Sequence, residues 1–117
     1  MGDLIMKYLR GGGHVAATQR CIGLIDGLVG YPDYNELNFY IGACHEDQIM
    51  HRYYQHGEPQ TFMLYRTQSR RNISLVETAL IAEYRNIHPR NVNDNAGGAA
   101  GIGDAGWYNI YIHFRDV

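Results

Sequence analysis

Between Leu37 and His56 the hydrophobic pattern changes period once, and this change constrains the fold more than any other stretch of the chain. Leu37 to Ala43 reads as a strand rich in aromatic and branched residues. Glu46 to His56 then reads as a helix: Ile49, Met50 and Tyr53 form an apolar stripe, and acidic Glu46 and Asp47 occupy the first turn, where the helix dipole favours them. Gly57 and Pro59 end it. A strand that feeds an amphipathic helix needs both a sheet and a layer packed on it.

The other segments are cut short by turn chemistry. Asp3 to Arg10 is an amphipathic stretch of one or two helical turns, stopped by Gly11-Gly12-Gly13. Cys21-Ile22-Gly23-Leu24-Ile25, inside Arg20 to Val29, reads as a strand. It reaches Leu37 through the turn cluster Gly30-Tyr31-Pro32-Asp33-Tyr34-Asn35, which suggests a hairpin. Thr61 to Thr67 is a further strand, with Phe62, Leu64 and Arg66 on one face. Ser74 to Arg85 is a helix, and Ser74-Leu75-Val76-Glu77 matches a capping box. Asn91 to Gly106 is a long polar, glycine-rich loop, and Trp107 to Phe114 alternates as a last strand with Tyr108, Ile110, Ile112 and Phe114 on one side. The order β-β-α-β-α-β predicts a single α/β (α+β) domain: a small mixed or antiparallel sheet of three to four strands flanked by helices.

Composition narrows the function classes. With 117 residues the chain suffices for one domain with a modest core. A formal charge of −2 argues against bulk electrostatic coating of nucleic acid, though not against a local basic patch. Lys7 is the only lysine beside nine arginines, and arginine is the better fork for phosphate. Cys21 and Cys44 make no disulfide framework, and with His45 they lack the spacing of a zinc site. With neither a secretory leader nor an apolar run of membrane-spanning length, the expected location is intracellular, cytoplasmic or nuclear, with no membrane partner.

Three groups of residues could carry chemistry. Tyr40 and Gly42 share one side of their strand, and Gly42 permits close approach of a ligand or another backbone. Gln48, Arg52 and His56, spaced by four, share one helix face. Arginine can steady a pentavalent phosphate, and tyrosine or histidine can relay a proton; a solvated helix face beside a structural tyrosine is the plainer reading. Glu77 could hold one Mg²⁺ or serve as the acid of the capping box, but not easily both. Arg66, Arg70 and Arg71 form a basic cluster suited to phosphate contacts or to a solvated loop. The stretch Asn93 to Gly103, which includes Asn95, follows a helix and precedes a strand, the reverse of a dinucleotide-binding loop.

In their order and spacing these pieces resemble the GIY-YIG endonuclease family. Tyr40-Ile41-Gly42 matches the second half-motif, Arg52 looks like the family's first-helix arginine, and His56 follows at a four-residue interval. Glu77-Thr78-Ala79-Leu80-Ile81-Ala82 is similar to the helix carrying the family's metal-binding glutamate, and Val92-Asn93 to its late asparagine region. The resemblance runs from about Cys21 to Gly103, leaving residues 1–19 as an N-terminal extension and 104–117 as an added C-terminal strand. The first half-motif departs: Gly23-Leu24-Ile25 has Ile25 in place of the tyrosine, and Gly30-Tyr31 sits in the turn cluster; Tyr31, Tyr34 or His56 are the candidate substitutes.

The resemblance implies hydrolysis of a DNA phosphodiester with one Mg²⁺ or Mn²⁺. Glu77 would hold the metal, Arg52 would stabilise the phosphate, Tyr40 would position or deprotonate the water with His56 nearby, and Asn93 would support the site. Gly42, Arg66, Arg70, Arg71 and Asn95 would contact substrate. The alternative is a module of this fold that binds nucleic acid or protein without turnover. Target choice would rest with the chain's own loops, a homodimer partner or a separate targeting protein.

Overall fold

The C-terminal strand is the middle of the sheet. In the computed structural model, which describes residues 3–5, 9–10, 13–45, 60–94 and 106–115, β3 (Asn38–His45) and β4 (Gln60–Thr67) both pair antiparallel with β5 (Tyr108–Arg115). On the far side of β4, β1 (Asp3–Ile5) and β2 (Leu9–Arg10) run parallel to it along a single line. The fold class is α+β, as the sequence implies. The strand expected as an addition at 104–117 is instead the one on which the sheet closes. The helix expected at Glu46–His56, carrying Arg52 and His56, lies outside the described residues, as does Asn95.

One face of the sheet is apolar and covered. Phe39 and Ile41 of β3, Phe62 and Tyr65 of β4, and Tyr108, Ile110, Ile112 and Phe114 of β5 form one cluster with α1 (His14–Val29) and α2 (Arg70–Tyr84). Alternation along β5 is why it can serve: every second residue is large, apolar and fully buried.

Three local expectations are overturned. Arg20 to Val29 is helix, not strand. Ala17, Cys21, Ile25 and Val29 recur every fourth residue and are buried, while Gly23 and Gly27 fall on the exposed side. Within the apolar run Cys21–Ile25, Cys21 and Ile25 are fully buried, Ile22 packs partly buried against the same core, and Leu24 is exposed. The turn at residues 31–36 therefore joins a helix to a strand, and no hairpin forms; Tyr34 from this turn stacks on Phe114 at 4.9 Å. At the start of the chain, Asp3–Ile5 and Leu9–Arg10 are strand rather than helical turns, because the edge of β4 offers them unpaired backbone.

The second helix begins a turn earlier than its capping box suggests. Ser69 is the N-cap, and its hydroxyl accepts from the Asn72 backbone N–H at 3.0 Å. Ser74 is therefore inside α2, Arg70 and Arg71 form its first turn instead of a loop, and Glu77 lies in mid-helix, too far along to be the acid of a capping box. A β-bulge between Met63 and Tyr65 also shifts the phase of β4 by one residue. Phe62 pairs with Ile112 but Arg66 pairs with Asn109, so Arg66 ends on the opposite face from Phe62 and Leu64.

Arg90 ties the layers together. One of its terminal nitrogens, Nη1, donates to the carbonyls of Tyr34 (2.8 Å) and Leu37 (2.7 Å), and the other, Nη2, to that of Val29 (2.7 Å). The end of α1, the turn and the approach to β3 are thus held by one planar fork. Among the described residues no helix is long and apolar enough to cross a membrane.

Replacing Arg90 by Lys, which keeps the charge but cannot fork, should lower unfolding free energy by about 2 kcal/mol in urea titration; an unchanged midpoint would refute the clamp. Burial raises the Cys21 thiol from 9.0 to about 12. Between those values the unfolded chain loses the thiol proton while the folded chain keeps it, so stability falls as pH rises, by up to about 1.4 kcal/mol per pH unit. The alkaline slope of wild type should be reduced in Cys21→Ala.

Candidate functional site

The face of the sheet turned away from α1 and α2 is built from different residues. Alternation places Tyr40, Gly42 and Cys44 of β3 there, with Asn109, Tyr111 and His113 of β5 and Thr61, Met63 and Arg66 of β4. Three antiparallel strands bring these side chains into adjacent rows, and the row from β5 is central. Most are as buried as the helix-side core: Asn109 and His113 are 0 % exposed and Tyr111 is 2 % exposed.

Gly42 is what allows the rows to close. Tyr111 lies directly across from it, and a Cβ on residue 42 would come within 2.5 Å of the Tyr111 hydroxyl and ring carbon Cζ. The phenol therefore crosses β3 where only glycine has room. The Tyr40 ring stands beside it, centroids 6.3 Å apart. Cys44 and Met63 complete a small cluster around Tyr111. The register partner of Tyr40 is His113, whose Nδ1 is hydrogen-bonded to the Thr61 hydroxyl at 2.7 Å. A buried hydrogen bond of this kind fixes the ring's rotation.

Asn93 holds the backbone between Tyr40 and Gly42. Its Oδ1 accepts from the Ile41 N–H at 3.0 Å and its Nδ2 donates to the Ile41 carbonyl at 2.7 Å. The amide thus stands in for a strand partner on the outer edge of β3. It is delivered there because Phe39 pairs with the chain on either side of Asn91: the Phe39 N–H donates to the Arg90 carbonyl, and the Val92 N–H to the Phe39 carbonyl. Asn91 then braces Asn93 through two further bonds of 2.9 and 3.1 Å.

The remaining sequence candidates are placed as follows. Glu77 lies on the buried side of α2, 6 % exposed, and so comes from the helix layer rather than from the face carrying Tyr40. Arg66 is half-buried, its guanidinium 3.9 Å above the Trp107 ring and its Cα in register with Asn109. Arg70 and Arg71 are exposed at the N-terminus of α2. Cys21 sits under the helices against the Leu64 carbonyl, while Cys44 is on the other face of the sheet, so the two cannot share a metal. No group of three His, Cys, Asp or Glu side chains suited to a metal occurs among the described residues.

Sequence reasoning missed Tyr111, Asn109, His113 and Thr61. A signal was present: if Tyr108, Ile110, Ile112 and Phe114 face a core, then Asn109, Tyr111 and His113 must share the other side. Which strand they would stand beside was not legible, because pairing between β3 and β5 spans most of the chain.

Replacing Asn93 by Asp keeps an acceptor for the Ile41 N–H but sets a carboxylate against the Ile41 carbonyl. This variant should be less stable than wild type by about 2 kcal/mol in thermal or urea unfolding; equal stability would show that the two bonds contribute nothing net.

No family model, curated protein or solved structure matches this chain.

Proposed function

We propose that the protein is a divalent-metal-dependent endonuclease that hydrolyses a DNA phosphodiester, with Tyr40 and Tyr111 as the paired phenols of the site. The observation that carries this reading is the placement of Tyr111. It stands on the strand antiparallel to Tyr40-Ile41-Gly42, folded across Gly42 and beside Tyr40. Asn109-Ile110-Tyr111 differs from the first half-motif of the GIY-YIG family by one residue. In this reading Tyr111, from the C-terminal strand, takes the part of the tyrosine lacking ahead of β3. The segment Gly23-Leu24-Ile25 is no longer a candidate, because it is helical.

In this reading the two phenols hold the attacking water. The water oxygen bonds to phosphorus as the bond to the departing sugar oxygen breaks. One phenol takes the water's proton while giving its own to solvent, and the departing oxygen is protonated from solvent, leaving a phosphomonoester and an alcohol. Arg66, with Arg70 and Arg71 at the positive end of α2, supplies a local basic surface that the net charge of −2 conceals. Glu77 would be the metal holder: its carboxylate, in mid-helix, has the hard oxygens that Mg²⁺ or Mn²⁺ takes. An ion held there would supply positive charge from the helix side of the sheet, apart from the phenol pair. Arg52 and His56 retain the roles the resemblance implies.

The test is nicking of supercoiled plasmid with Mg²⁺ or Mn²⁺. Wild type should nick, Glu77→Gln should be slower by about 100-fold or more, and Tyr111→Phe by a comparable factor. A wild type that binds DNA but never cuts, or a Glu77→Gln variant as fast as wild type, would sink the enzymatic reading and leave a module that holds nucleic acid without turnover.

A further inference from the structure

We infer that Asn109 is a substrate-contacting residue of this site, binding the scissile phosphate through its Nδ2 and the attacking water through its Oδ1; the inference rests on the nuclease reading above. Asn109 is 0 % exposed, yet among the described residues neither Oδ1 nor Nδ2 has a hydrogen-bond partner. A buried amide left in this state costs free energy on both atoms, and a bound ligand or an enclosed water is what completes such a group.

Its position says which ligand. Asn109 precedes Tyr111 by two residues on the same face of β5, a separation of about 7 Å along the strand. A tetrahedral phosphate with a hydrogen bond at either end covers that span. Directly across on β4 is Arg66, whose guanidinium lies over the Trp107 ring. Phosphate alone accepts hydrogen bonds and would satisfy only Nδ2, and a cation alone would satisfy only Oδ1. A phosphoryl oxygen together with a water molecule satisfies both. Oδ1 then orients one proton of the water, while the donor of Nδ2 meets the charge that grows on the phosphoryl oxygens as the new bond forms. On the neighbouring strand, Cys44 is the register partner of Asn109 and offers no competing charge.

The experiment replaces Asn109 by Val, which suits a strand and removes both orphaned atoms, and by Asp, which keeps the acceptor but loses the donor. Each is compared with wild type for plasmid nicking, for DNA affinity and for melting temperature. The expected result is a Val variant that melts at or above the wild-type temperature yet nicks about 100-fold more slowly, chiefly in kcat. The Asp variant should be slow as well and bind DNA more weakly, because its charge faces the phosphate. If the Val variant nicks at the wild-type rate, or melts well below wild type as it would if a permanently enclosed water held the amide in place, the assignment is overturned. If wild type itself does not nick with either ion, the nuclease reading fails and takes this inference with it. Wild type nicking while the Val variant nicks equally fast defeats the Asn109 assignment alone.

Discussion

The Arg90 guanidinium is the contact on which the rest of the architecture depends. Its three short hydrogen bonds gather the last carbonyl of α1, the turn after it and the residue before β3. Carbonyls at a helix end have no partner within the helix, and a cation there meets them with the favourable sense of the dipole. The same residue, through its own carbonyl, begins the pairing with Phe39 that sets Asn91 and Asn93 along β3. One side chain therefore fixes where the helix layer stops and where the edge of the sheet is sealed. The register of Asn93 on Ile41, and with it the backbone between Tyr40 and Gly42, follows from that placement.

The two faces of the sheet divide the work. The helix-side face is a conventional apolar core in which Phe39, Ile41, Ile110 and Ile112 meet Cys21, Ile25, Val76 and Leu80. The other face is equally buried in places but chemically mixed, with phenol, imidazole, hydroxyl and amide groups on three adjacent strands. Side chains fixed to central strands are held more tightly than side chains on loops, which suits groups that must meet a substrate in one geometry. Glu77 arrives from the helix layer and not from these strands, so the metal role assigned to it is a separate element of the proposal from the phenol pair.

Much of the fold was legible where local pattern and tertiary environment agree. β3, β4 and β5 announce themselves by alternation, and α2 by its apolar stripe. α1 was not, because Cys21 to Ile25 is a short run of apolar residues, and a run of that length has no period of its own; only Ala17 and Val29, a turn beyond on either side, disclose the helical spacing. The start of α2 was misread because two serines, Ser69 and Ser74, both suit an N-cap and the capping box favours the wrong one. The face of Arg66 was hidden by a bulge that leaves no mark in composition. Tyr40, Gly42 and Asn93 could be picked out from the sequence, and the structure brings them together along one strand. Tyr111 and Asn109 could not be joined to them, because strand pairing at long sequence separation is a property of the folded chain.

The place of β5 also bears on how the molecule is made. Until that strand arrives, β3 and β4 lie apart, each with a row of backbone donors and acceptors turned toward an empty lane between them. The pairing that fills the lane joins Asn38 to Arg115 and Gln60 to Phe114, so closure is paid for in long-range chain entropy and comes late. In the interval the chain carries two unsatisfied edges bordered by Phe39, Ile41 and Phe62, and any extended apolar segment can enter the lane. β5 is in this sense an internal donor strand: the residues that complete the sheet and those proposed to act on substrate are the same few, so a nascent chain that has not yet closed has neither.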